Sequence, residues 1–196
     1  MKEDKRIKSE IPILTFKNQK DWNKWLDKNH DDSPGIWMRI AKKDSGIKTV
    51  SQPEALESVL CYGWIDSQRK KYDDQTYIQK YSPRGNRSIW SKINREKAEE
   101  LINNKKMKSA GLKAIETAKK NGRWDAAYDS YSNAKIPEDF VLELNKNPKA
   151  KKFFATLNSQ NRYAIYFRIH NAKRIETRER RIKQFIIMLE KNEKFY

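Results

Sequence analysis

The 196-residue chain carries 43 Lys and Arg against 26 Asp and Glu, a formal net charge of +17, and it is 37% hydrophobic and 11% aromatic. Six Trp, nine Tyr and seven Phe exclude a disordered chain, because they supply the apolar surface a core needs. One Cys excludes a disulfide framework and a Cys-based zinc site, and no apolar run approaches the roughly 18 residues of a membrane span.

Residues 1–10 are charged and aperiodic and read as a frayed start. They contain no apolar stretch of signal-peptide length, so the expected setting is the reducing cytoplasm. Ile11 to Phe16 is a short strand. Trp22, Trp25 and Leu26 then lie at i, i+3 and i+4, one face of a short helix. Ser33-Pro34-Gly35 is a turn, and Ile36 to Ala41 is apolar enough for a central strand. Ser51 and Glu54 have the spacing of a capping box, and Pro53 is tolerated in the first turn of the helix they start. Ala55, Leu56, Val59 and Leu60 form its buried face, and Gly63 ends it.

Trp64 opens a strand, Asp73-Asp74 turns the chain, and Gln75 to Ser82 returns. Pro83-Arg84-Gly85-Asn86 is a further turn, and Ser88-Ile89-Trp90 reads as a third strand of a meander. The period then becomes helical. Ser91 caps a helix through Ile93, Ala98, Leu101 and Ile102, and Ser109 to Lys120 forms another. Residues 123–136 read as a linker. After Pro137 come helices over roughly 138–145, 148–157, 160–171 and 173–191. Strands gather in the first half and helices in the second. The expected fold is therefore α+β, a small antiparallel sheet with packed helices followed by an all-helical C-terminal module. The expected domains are 1–136, with an ordered core over about 11–122 and then the linker, and 137–196.

The charge is uneven. Residues 1–65 carry a net +2, 66–125 a net +8, 126–138 a net −1 and 139–196 a net +8. Such an excess concentrates nucleic acid, anionic lipid or phosphorylated ligands by Coulomb attraction. Lys outnumbers Arg, 30 to 13, which equally suits a solvated surface. The segment from Gln68 to Arg95 interleaves Arg69, Lys70, Lys71, Lys80, Arg84, Arg87, Lys92 and Arg95 with Tyr72, Tyr77, Tyr81 and Trp90. Rings that stack planar groups, beside cations that hold phosphate, make it the best binding candidate. Ser91 and the helix start behind it add an anion-friendly end.

Other constellations are weaker. Cys61 has no nearby His and reads as a small buried residue at a helix–strand junction. Two isolated His and one Cys build no metal site by local spacing, and neither metal nor cofactor is expected. Asp66-Ser67 follows the helix-to-strand transition directly. It reads either as a backbone-bonding strand start or as a pocket lining, and no second carboxylate stands at a readable spacing.

The chain resembles the YdeI/OmpD-associated (OmdA-like) family, also labelled bacteriocin-protection proteins. Trp37 and Ile40-Ala41-Lys42-Lys43 carry the resemblance, with Glu54-Ala55-Leu56 leading into Cys61-Tyr62-Gly63-Trp64-Ile65-Asp66-Ser67. Tyr81-Ser82-Pro83-Arg84, Ser88 to Asn94, Ala110-Gly111, Ala172-Lys173 and Glu176 to Ile182 extend it. The family's names imply protection against bacteriocins or cationic peptides and association with an envelope protein. No reaction, cofactor or catalytic set comes with them. The resemblance marks Trp64, Asp66, Ser67, Arg84, Trp90, Ser91, Lys92 and Asn94 as candidate site residues, and the basic segment adds Arg69 and Arg87.

The expected function is a non-enzymatic stress or peptide-resistance factor in the cytoplasm that binds an anionic small molecule or acidic partner. Nonspecific nucleic-acid binding, or an enzyme with a pocket near Asp66 and Ser67, are the alternatives.

Overall fold

The computed structural model describes residues 11–196, and the segment 1–10, read above as a frayed start, lies outside them. The described residues fall into two units. One takes in the chain up to Ile89 and Asn94–Asp125, and the other takes in Trp90–Ile93 and Ala126–Tyr196.

In the first unit β1 (Ile13–Leu14), α1 (Gln19–Asn29), β2 (Ile36–Ala41), α2 (Gln52–Cys61), β3 (Trp64–Lys71) and β4 (Thr76–Pro83) precede most of α3 (Lys92–Asn103) and α4 (Ser109–Lys120). The sheet order is β1-β2-β4-β3. The β2–β4 and β4–β3 pairs are antiparallel, and the short β1 runs parallel to β2. In β2 the buried residues alternate: Ile36, Met38 and Ile40 are enclosed, while Trp37, Arg39 and Ala41 are half-buried.

Local chemistry sets the helix ends. Asn18 accepts a hydrogen bond from the Asp21 N–H at 2.9 Å and caps α1. The Ser51–Glu54 capping box forms as the spacing predicts, with the Ser51 N–H donating to Glu54 Oε2 at 2.8 Å. Trp22 joins α1 to α2 by donating its indole N–H to the Ala55 carbonyl at 3.3 Å. After α2 the chain reverses at Gly63, whose φ of +71° and close approach to the Ala110 carbonyl leave no room for a side chain. A Cβ at Gly111 would come within 2.4 Å of the Cys61 carbonyl oxygen, so α4 starts directly against the end of α2.

The third strand expected at Ser88–Trp90 does not form. The Ser88 N–H turns back to the Gly85 carbonyl at 2.8 Å, and the Ile89 carbonyl accepts from Arg84 Nη1 at 3.2 Å. The Trp90 carbonyl accepts from the Tyr128 N–H at 3.0 Å. With these groups satisfied elsewhere, the segment has no ladder to offer β4, and its Ile and Trp content misleads.

The second unit contains α5 (Glu138–Asn145), α6 (Pro148–Thr156), α7 (Ser159–His170) and α8 (Ile175–Glu190). Phe140, Leu144, Ile165, Ile169, Ile182, Phe185, Ile186 and Leu189 form its core. Asn161, almost fully buried, accepts from the Phe195 and Tyr196 N–H groups and ties the chain end to α7. Residues 123–136 are irregular, with Trp124 and Ala127 buried. The α+β class holds: a four-stranded sheet with helices, then a helical region. No helix among the described residues is long and apolar enough to cross a membrane.

Candidate anion-binding site

Strand β3 forms one edge of the sheet, and its pairing with β4 is irregular. Asp66 lies opposite Tyr81 and Arg69 opposite Gln79, so the register shifts at Ser67 and Gln68. Gln79 fills the irregularity: its amide nitrogen donates to the Gln68 carbonyl, and its amide oxygen accepts from Arg69 Nε, both at 3.2 Å. A bulge of this kind re-aims side chains and interrupts edge pairing. Past it, Arg69, Lys70 and Lys71 are all exposed.

The candidate residues from the sequence separate. Asp66, Arg69 and Arg84 come together in the first unit. Burial raises the Asp66 carboxyl above its ordinary range, and the Arg84 and Arg69 charges oppose that shift. The phenol of Tyr81, fully buried opposite Asp66, makes no hydrogen bond, and burial first and the Asp66 charge second push its ionisation far upward. Trp64 is a core residue, 1% exposed, with its indole N–H donating to the His30 carbonyl at 3.0 Å. Ser67 lies exposed in the bulge, Arg87 lies exposed in the loop after β4, and Asn94 is half-buried on α3. Trp90, Ser91 and Lys92 belong to the second unit. There Trp90 is buried, Ser91 bridges to Tyr128, and the Lys92 ammonium pairs with Asp129 at 2.6 Å.

A different set of cation–ring contacts lies on the two faces of the β2–β4–β3 sheet: Trp37, Arg39, Lys70 and Lys80 share one face, and the register sets Arg69 and Tyr77 on the other, with Gln79 and Met38. The Lys70 ammonium stands 4.7 Å from the centroid of the Trp37 ring, the Arg69 guanidinium 4.4 Å from that of Tyr77, and the Arg39 guanidinium 4.9 Å from that of Tyr72. Lys80 is the registered partner of Trp37 on the adjacent strand, so it projects on the same face as that ring. Arg39 and Lys71 are ion-paired, to Asp73 and Asp74 respectively. Arg69, Lys70 and Lys80 have no carboxylate at ion-pair distance among the described residues. A ring holds a cation in place without cancelling its charge, whereas a carboxylate does both. One face of the sheet therefore keeps two un-neutralised ammonium groups, Lys70 and Lys80, beside Trp37, and Arg69 stands on the opposite face.

Sequence reasoning marked Arg69, Lys70 and Lys80 as part of the basic segment but not Trp37 or Arg39. The available signal was the two-residue alternation of β2, which sets Trp37 and Arg39 on the face opposite Ile36, Met38 and Ile40.

A polar cleft of about 480 Å³ also opens in the first unit, between α1, the end of α2 and the turn from α3 to α4. Asp27, Glu57, Tyr62, Lys105, Lys106 and Lys108 are among the residues that line it. Cys61 borders the cleft, and burial raises its thiol to about 11, which makes it a poor nucleophile. In the second unit Asp129 is held below the usual carboxylate range, chiefly by the Lys92 ammonium. Tyr166 donates to the same carboxylate at 3.1 Å. Among the described residues no group of three or more His, Cys, Asp or Glu is placed to hold a metal ion.

Two family models match the chain. Residues 14–114 match a domain of unknown function (DUF8412), and residues 133–192 match the family described as bacteriocin-protection, YdeI or OmpD-associated (OmdA). Comparison with curated proteins and with solved structures gives no match.

Proposed function

The chain belongs to the first of these families and carries a region of the second, and from that premise we propose a non-enzymatic resistance factor that binds an anionic ligand. Its target is the phosphate or carboxylate of a polyanionic partner, taken up in the cytoplasm during exposure to bacteriocins or other cationic peptides. The observation that carries this reading is the face of the sheet on which Lys70, seated on the Trp37 ring, and Lys80, the registered partner of Trp37, are left without a carboxylate partner.

Trp37 adds a planar surface beside Lys70 and Lys80, suited to stacking once Lys70 swings from the ring to a ligand oxygen. Attraction of this kind draws in phosphates or carboxylates without specifying what carries them.

The test is a killing curve with a cationic peptide. Cells carrying the wild-type protein should survive better than cells lacking it, and Lys70→Ala with Lys80→Ala should remove the advantage without lowering protein level. Equal killing of all three strains rejects the reading.

A further inference from the structure

The cleft beside α2 sorts its charges by wall. Asp27 and Glu57 come from the helices α1 and α2, and Lys105, Lys106 and Lys108 come from the turn that follows α3. Glu57 is already neutralised: Lys106 reaches its Oε1 at 3.1 Å and Lys97 its Oε2 at 3.5 Å. Asp27 accepts from the Tyr62 hydroxyl through Oδ1 at 2.5 Å, and no described donor occupies its Oδ2. Lys105 and Lys108 have no carboxylate partner among the described residues, and the Lys108 ammonium stands 5.9 Å from the centroid of the Tyr62 ring. One negative and two positive side chains thus remain for a ligand. The C-terminal end of α2, which carries partial negative charge, borders the same side as Asp27 and favours a cationic group there.

The turn is built to hold its lysines in place. The Lys106 N–H donates to the Leu101 carbonyl and the Lys105 N–H to the Ile102 carbonyl, both at 2.9 Å, the two bonds of a Schellman cap. Lys105 occupies the left-handed position of that cap at φ +55°, where glycine would be easier. The Lys108 N–H then donates to the Cys61 carbonyl at 3.2 Å, which anchors the turn to the end of α2.

We propose that this cleft binds an acidic α-amino acid. Its ammonium lies on Asp27 at the end of α2, and its two carboxylates lie on Lys105 and Lys108. A ligand with one positive and two negative groups answers the three side chains left over. It also carries the net −1 that offsets the +1 of the five charged lining residues. The volume falls within the range of small-molecule sites and leaves space for bridging water. The proposal is independent of the sheet reading, because none of these residues belongs to the sheet.

The experiment is calorimetric titration of the full chain with L-glutamate and L-aspartate. Glutarate, which lacks the ammonium, and L-glutamine, which lacks the second carboxylate, serve as controls. Saturable binding of at least one acidic amino acid is expected, about tenfold or more tighter than either control. Lys105→Gly should keep the fold, since glycine suits the cap, and yet weaken that binding by a similar factor. Asp27→Asn should remove the preference for the amino acid over glutarate. The proposal is overturned if neither acidic amino acid saturates below about 10 mM, if glutarate or glutamine binds as tightly, or if Lys105→Gly folds and binds like the wild type.

Discussion

The Lys70 ammonium lies 4.7 Å from the centroid of the Trp37 indole, although Lys70 and Trp37 belong to strands that share no hydrogen bonds. Strand β4 runs between them, and Lys70 crosses over Ile78, its registered partner, which is only 8% exposed. The lysine stem covers apolar surface while its charge stays in water. This one contact records both what the sheet needs for stability and what it presents to a partner.

Burial makes Asp66 a stability sensor. Its carboxyl titrates above the ordinary range in the folded chain, so the folded state holds a proton that the unfolded state has already lost. The stability this proton contributes is complete below the unfolded carboxyl value and is lost as pH rises through the folded value. Asp66→Asn cannot ionise. Its melting temperature relative to wild type should therefore climb as pH rises above the unfolded carboxyl value of about 4, as thermal melts over a pH series would record. A flat difference means that the carboxylate is well solvated.

Asp139 shows the opposite sign. Arg178 bonds it through two nitrogens, at 2.5 and 2.9 Å, joining α5 to α8, and this pairing holds the carboxyl below its usual range. The contribution is present above the unfolded carboxyl value and disappears as pH falls through the folded value. Asp139 is 44% exposed, so screening limits the pair to about 1 kcal/mol. Arg178→Met should cost about 1 kcal/mol more at pH 7 than near pH 2, where only its bond to the Ile169 carbonyl is lost, measured by urea unfolding.

Gly111→Ala should be strongly damaging in the first unit. Its Cβ would meet the Cys61 carbonyl oxygen and the Met107 sulfur, both at 2.4 Å. Backbone cannot give way as a flexible side chain can, so a loss of about 1–3 kcal/mol or more is expected. Ser51→Ala removes the capping box of α2 and should cost about 1 kcal/mol. Chemical denaturation of both variants checks the order.

Much of this fold is legible in the sequence, because many of its signals are local. The capping box at Ser51, the Asp73 turn and the helices after Pro137 each need only a few neighbouring residues. What is not legible is pairing at a distance. The parallel addition of β1 to β2 and the capture of the Trp90 backbone by Tyr128 join segments with no readable complementarity. The site suffers for the same reason. Trp90 reads as a binding aromatic of the basic stretch, and the resemblance marks Trp64, yet both are buried, at 1% and 2% exposure for Trp64 and Trp90. The partner ring is the half-buried Trp37, which comes from a strand apolar enough to read as central. The anchoring of the α3–α4 turn on the Cys61 carbonyl is likewise a contact between distant segments.

The central claim is that Lys70 and Lys80, on the face of the sheet that carries Trp37, form a receptor for negative charge, and titration with a short single-stranded oligonucleotide over a series of salt concentrations tests it most directly. The wild type should bind, with affinity falling steeply as salt rises. Lys70→Ala with Lys80→Ala should weaken binding at least tenfold and reduce the slope of log affinity against log salt by about 2. Unchanged affinity and slope in the double variant would contradict the account.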